Sequence, residues 1–209
     1  MFFPGLGNGK ESFNWELASD EIVEKIHIPR HIGIQSQLSA DSLSFDPPGI
    51  NNEIPIPKTV DEYCKWIKNL ADSYLKHEII IVGHSLGCVI ARYYQKLYPD
   101  NIKKVFLMDP TPDFVLSSVK DPSWREKRSY KQIEMIINSY DSIPPVSEEF
   151  ANITYVHYNI DDADPRKELF KEYIEKNFKN ITNHKNKTHF IHLTASDEIV
   201  TAIKEIMND

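Results

Sequence analysis

The sequence predicts an α/β fold: a three-layer α/β/α sandwich on a mostly parallel sheet of about six strands. Three observations carry this expectation. Short apolar runs alternate along the chain with longer stretches of helical period, the pattern of a parallel sheet covered on both faces. The strongest run, Glu78-Ile79-Ile80-Ile81-Val82, passes through a glycine-bracketed turn straight into a helix pattern. The chain has 209 residues, 41% of them hydrophobic, enough for one sizeable core, so residues 1–209 read as a single domain.

The elements follow in order. Residues 1–3 form a very short strand that ends at Pro4-Gly5. Helices are expected near 15–26 and 31–39, and a strand at Ser42-Leu43-Ser44-Phe45, stopped by Asp46-Pro47-Pro48-Gly49. After a Pro-rich loop over 47–57, Thr59-Val60-Asp61-Glu62 is a capping box that opens a helix to about Leu75. Val60, Tyr63, Ile67, Leu70 and Tyr74 recur on it at helical spacing. The strand at 78–82 is followed by a helix from Leu86 to about Tyr98, with Val89, Ile90, Tyr93 and Leu97 on one face and Pro99 closing it. Lys104–Met108 is the next strand and ends in Asp109-Pro110. Residues 111–150 turn richer in Pro, Ser and charge, and read as a small lid insertion with one helix near 125–139. A strand at 154–158, a helix at 165–178, a short strand or loop at 188–193 and a closing helix at 197–207 complete the order. No internal repeat is present.

Composition narrows the function classes. The net charge is −7 and its charges are scattered, which argues against nucleic acid and anionic membranes as partners. No apolar stretch reaches membrane-spanning length. The first residues lack the basic and apolar regions of a signal peptide, and the expected location is cytoplasmic. Three N-x-[ST] sequons, at Asn152, Asn180 and Asn186, read as accidents of an Asn-rich chain. The two cysteines, Cys64 and Cys88, form no C-x-x-C, and no H-E-x-x-H occurs, so no metal site is expected. The glycine loop Gly5-Leu6-Gly7-Asn8-Gly9 lacks the P-loop pattern.

One pentapeptide carries chemistry. Gly83-His84-Ser85-Leu86-Gly87 is G-x-S-x-G between a strand pattern and a helix pattern. In that setting a tight turn pushes the serine hydroxyl outward, and the glycines permit the turn. The helix beginning behind Ser85 offers unpaired N–H groups to a developing negative charge. A serine needs a base to take its proton, and histidine is the usual one because its pKa lies near the working pH. His189, in Thr188-His189-Phe190-Ile191-His192-Leu193 just before the last helix, is the best placed of 8 histidines.

The elbow, together with the tail from His189 to Ile199, resembles the α/β-hydrolase superfamily. There the tail often reads G-H-F-x-H-L-E-x-P-E-x-V, and its first histidine is the base. The resemblance implies His189 as base and His192 as the second, non-catalytic histidine, with Thr188 where the family has glycine. It also implies an acid on the loop Asn159-Ile160-Asp161-Asp162-Ala163-Asp164-Pro165, which resembles the family's H-G-x-x-D stretch. On that register Asp162 is the carboxylate, with Asp164 and Asp161 as neighbours one or two places away. Asp109 is the alternative outside this loop, at a position some members use, though Asp109-Pro110 also reads as a plain turn cap. Phe3-Pro4-Gly5-Leu6 looks like the family's H-G-x-G loop, so the backbone N–H groups of Leu6 and Leu86 would form the oxyanion hole. Two departures stand out: the leading strand pair is missing, and the stretch from Pro4 to Asp46 is longer than the family's spacer.

The function so implied is a serine hydrolase that cleaves a carboxylic ester or thioester of a small or acyl substrate through an acyl-serine, with no cofactor. A serine nucleophile argues against dehalogenase or epoxide-hydrolase chemistry, which in this family uses a carboxylate. Acyl transfer, lactone hydrolysis and C–C bond hydrolysis stay open on the same triad, as does a silent binding protein on the same fold.

Overall fold

Five parallel strands, each hydrogen-bonded to the next in chain order, form the sheet in the described part of the computed structural model. The structure describes residues 1–5, 37–38, 42–44, 57–75, 78–116, 130–160, 163–185 and 187–209. The helix expected near 15–26, and all but residues 37–38 of the one expected near 31–39, lie outside them.

The chain opens with β1 (Phe2–Phe3), followed by α1 (Val60–Tyr74). Thr59 caps α1, its side chain accepting from the Glu62 N–H at 3.2 Å, a contact typically worth about 1 kcal/mol. Next come β2 (Ile79–His84) and α2 (Gly87–Leu97), whose end is marked by a 3₁₀ turn beginning at Pro99. Then follow β3 (Ile102–Met108), α3 (Asp113–Leu116), α4 (Tyr130–Ser139), α5 (Glu148–Asn152) and β4 (Thr154–Tyr158). The chain ends with α6 (Lys167–Asn177), β5 (Asn180–Asn183), α7 (Ile191–Thr194) and α8 (Ser196–Asn208).

Side-chain alternation divides the sheet between two cores. Phe3, Ile81, Val105, Leu107 and Val156 face a cluster that includes Tyr63 and Ile67 of α1, Val89 and Tyr94 of α2, and Ile133 and Ile136 of α4. Phe2, Val82, Phe106 and Met108 face the other way, onto Ile199, Val200, Ile203 and Ile206 of α8. Both faces are covered, which is why the central strands read as unbroken apolar runs. No helix among the described residues is long and apolar enough to cross a membrane.

The differences from expectation have local causes. The sixth strand, expected at Ser42–Phe45, is represented among the described residues by one parallel bridge from Ser44 to Phe2. Of the short strand or loop expected at 188–193, residues 188–190 are loop, and the last strand is at Asn180–Asn183. Among the described residues it pairs only with β4, and it is exposed at every position, so it carries no apolar signature to read. Residues 191–194 are helical instead. The 111–150 stretch, expected to hold one helix, holds α3, α4 and α5; α3 and α5 have only 4 and 5 residues, too few for a periodic pattern.

Register aligns the strand ends that matter. His84 lies opposite Met108, and Met108 opposite His157. Ser85, Asp109 and Asn159 therefore leave the sheet along the same carboxyl-end edge, where open α/β sheets place their ligands.

Candidate active site

Ser85 leaves β2 with φ 52°, a left-handed conformation costly for any residue with a Cβ. The surroundings hold it there. Its N–H donates to the Met108 carbonyl at 2.9 Å, and its own carbonyl accepts from the N–H groups of Cys88 at 3.0 Å and Thr111 at 3.4 Å. Close approach explains Gly87: a Cβ there would stand 2.1 Å from the Phe3 carbonyl oxygen. The Phe3-Pro4-Gly5 segment thus lies against the start of α2, and the position of a Cβ on Gly5 is 3.0 Å from the Ser85 Cβ. Leu86 is buried at the N-cap of α2, where helix geometry leaves amide groups without internal partners. Leu6 lies outside the described residues.

His189 precedes α7, with half of its side chain open to solvent. Its Nδ1 is 3.7 Å from Asp109 Oδ2. Loss of water on the protein-facing side lowers the His189 pKa. Asp109 follows β3 directly, at φ 45°. That is unusual for a residue before proline, and such strain is often found at functional sites. Its N–H donates to the His157 carbonyl at 2.9 Å, and its Oδ1 accepts from the Asn159 N–H at 2.6 Å. Oδ2 is buried and has no hydrogen bond among the described residues. Burial pushes the Asp109 pKa up to about 8, against the smaller opposing effect of the Asn159 N–H.

The other candidate acids stand differently. Asp164 is held by its neighbour: it accepts from the Arg166 N–H at 2.7 Å, Nε at 3.2 Å and Nη2 at 3.0 Å. These bonds lower its pKa. Asp161 and Asp162 lie outside the described residues. Among the described carboxylates, Asp109 is the one brought to His189.

Two residues gain roles that the sequence reading did not assign. Asn159 joins Asp109 to the loop that carries His189: its N–H donates to Asp109, and its Oδ1 accepts from the Lys187 N–H at 3.3 Å. His84 joins the elbow to the same loop through a 2.9 Å contact between its Nε2 and the His189 carbonyl oxygen. His192 is buried, with its ring centroid 4.5 Å from that of His84.

A family model described as the alpha/beta hydrolase fold matches residues 1–131. The chain belongs to the alpha/beta hydrolase family. Solved structures of this fold align along nearly the whole chain. MenH from S. aureus is 14% identical with a TM-score of 0.60, over 99% of this chain and 92% of that one. Carboxylesterase CesB (YbfK) from Bacillus subtilis is 14% identical with a TM-score of 0.59, over 99% and 82%. E-2-(acetamidomethylene)succinate hydrolase is 12% identical with a TM-score of 0.59, over 100% and 90%. At such identities the likeness speaks to the fold. A search of curated protein sequences finds no match.

Proposed function

We propose that the protein is a serine hydrolase acting on a carboxylic ester or thioester with a small acyl group, and that its triad is Ser85, His189 and Asp109. The observation that carries this reading is the convergence on His189. Its carbonyl is bound by the residue before Ser85, and its Nδ1 faces the bare oxygen of a buried carboxylate.

Each group has one task. Ser85 Oγ attacks the acyl carbon while His189 Nε2 takes the hydroxyl proton. Asp109 accepts from the Nδ1–H, which fixes the tautomer and supports the imidazolium as it forms. The 3.7 Å separation is longer than a hydrogen bond, and such contacts are often loose in free enzymes and tighten with substrate. The Leu86 N–H, with an N–H from the segment after Gly5 (Leu6 by sequence), binds the oxyanion. One such donor is typically worth ~2.7–4 kcal/mol in the transition state. His189 returns the proton to the leaving group, and water then cleaves the acyl-serine by the same steps in reverse.

The small-acyl assignment draws on a narrow crevice lined by Phe3, Pro4, Tyr63, Leu86, Ile90, Met135 and the polar Gln132. Leu86 lies at the start of α2 and Ile90 one turn along it, so the crevice runs beside the elbow helix.

A fluorophosphonate probe and a chain-length series of p-nitrophenyl esters test the proposal. Ser85→Ala is expected to abolish labelling and lower kcat by at least about 10³-fold. His189→Ala is expected to do the same, and His192→Ala to retain most turnover. Equal labelling of wild type and Ser85→Ala would overturn the reading.

A further inference from the structure

His84 has no part in the proton transfers, yet its ring is fully buried between the elbow and the histidine loop. Its centroid lies 4.9 Å from that of His189, 5.6 Å from Phe190 and 4.5 Å from His192. Packing alone does not call for an imidazole here, because a phenyl ring would fill similar space without polar atoms. The imidazole in fact leaves Nδ1 buried with no hydrogen bond among the described residues, beside Gly5. An unpaired buried acceptor is destabilising. What the imidazole adds is the single contact from Nε2 to the His189 carbonyl oxygen at 2.9 Å. A carbonyl only accepts, so Nε2 carries the proton and Nδ1 is bare.

The two ends of this bond have unequal support. His84 is the last residue of β2, paired in register with Met108. His189 sits outside regular structure, just before the short helix α7. Its backbone carbonyl is held by a contact that begins at the residue adjoining Ser85.

We propose that His84 is a positioning residue, whose Nε2–H clamps the His189 carbonyl and so sets the height of the His189 imidazole above the elbow. The proposal rests on the reading of Ser85 and His189 as nucleophile and base. Because the clamp touches no substrate, its loss lowers the rate of the chemical step and leaves substrate binding alone. A displacement of about 1 Å at a reacting group can cost on the order of 100-fold.

The test compares His84→Phe, His84→Gln and His84→Asn in the whole protein with p-nitrophenyl acetate, with the melting temperature of each recorded. The Gln amide nitrogen can reach the place of Nε2, whereas that of Asn falls short. His84→Phe and His84→Asn are expected to lose about 100-fold in kcat with KM changed less than about twofold. His84→Gln is expected to recover most of the loss. If the Phe variant fails to fold, the Gln and Asn pair carries the comparison. Nitrogen-15 NMR of the wild type is expected to show His84 protonated at Nε2 and bare at Nδ1.

Wild-type kcat in the Phe or Asn variant, equal losses in Gln and Asn, or an Nδ1-protonated His84 would each overturn the clamp. Ser85→Ala runs alongside. If it is inactive while every His84 variant is fully active, the clamp alone fails. If it is as active as wild type, the hydrolase reading fails, and the NMR result still decides whether the bond exists.

Discussion

Asp109 Oδ2 stands 3.7 Å from His189 Nδ1 and has no hydrogen bond among the described residues, while Oδ1 of the same carboxyl is held at 2.6 Å by the Asn159 N–H. One oxygen is thus fixed by backbone and the other faces the imidazole. A buried carboxyl with an open acceptor is destabilising in the absence of substrate. In the triad we propose, that oxygen accepts the Nδ1–H of His189 and supports the ring when Nε2 gains a second proton.

Asp109→Asn should therefore lower kcat by about 10³–10⁴-fold, as removal of an orienting carboxylate can do in a serine triad. Asp162→Asn should stay within about tenfold of wild type. Steady-state kinetics on one short ester decides between them, and the reverse order would return the acid to the loop at 159–165.

The pH dependence follows from the direction of the shifts. An ordinary Asp titrates near ~3.9, whereas Asp109 is pushed up to about 8 by burial. Between these values the folded state holds a proton that the unfolded state has lost. Stability therefore falls as pH rises through that window and levels off above about 8. Asp109→Asn removes this dependence, so its melting temperature should gain on wild type steadily toward pH 8. Activity runs the other way, because the carboxylate and the neutral imidazole are the working forms. With the His189 pKa below 6.5, kcat/KM should rise with pH to a plateau above about 8. In Asp109→Asn the residual activity should reach its plateau at a lower pH than in wild type.

Ser85→Gly and Ser85→Ala remove the same hydroxyl but differ at the backbone. At φ 52° alanine keeps the Cβ strain and glycine relieves it, at some cost from the freer unfolded chain. The glycine variant should be the more stable of the two by about 1 kcal/mol, measured by denaturant unfolding. Equal stability would mean that the turn stores no strain at this residue.

Met135 lines the crevice beside Leu86 and Ile90. Met135→Ala should cost about 2–5 kcal/mol of stability as a core truncation. It should also raise the hexanoate-to-acetate ratio of kcat/KM by about tenfold. The ratio is the informative quantity, because partial unfolding lowers both rates alike.

How legible all this was in the sequence differs from part to part. The elbow could be read because strand, turn and helix are local and their residue types are demanded by backbone geometry. The buried strands could be read because both of their faces are apolar. β5 could not, since Asn180–Asn183 is held by pairing to β4 and buries none of its residues. The acid is the sharpest case. Loop resemblance favours Asp162, which lies outside the described residues; the carboxylate that the described residues bring to His189 is Asp109, through the register of β3 against β4 and its own left-handed turn. The one local hint was Asp-Pro at a strand end, which serves equally as a turn cap. Asn159 and His84 act across 50 and 105 residues of chain, a distance no local pattern reports.

The two glycines of the elbow should respond unequally to alanine. At Gly83 the new Cβ would meet three backbone atoms of α2, Cys88 Cα at 3.1 Å, Cys88 N at 3.2 Å and Gly87 C at 3.3 Å, so α2 must give by a few tenths of an ångström. At Gly87 it would stand 2.1 Å from the Phe3 carbonyl oxygen and 2.7 Å from that of Pro4. Both of these are backbone atoms that cannot rotate away, so β1 and α2 must separate. Overpacking of this kind costs about 1–3 kcal/mol or more, and here it moves the segment leading into Leu6 away from the elbow. Gly87→Ala should therefore lose more activity than its stability loss explains, assayed well below its melting temperature, while Gly83→Ala should lose the two in proportion. Similar behaviour of both variants would mean that the Phe3-Pro4-Gly5 segment takes no part in binding the oxyanion.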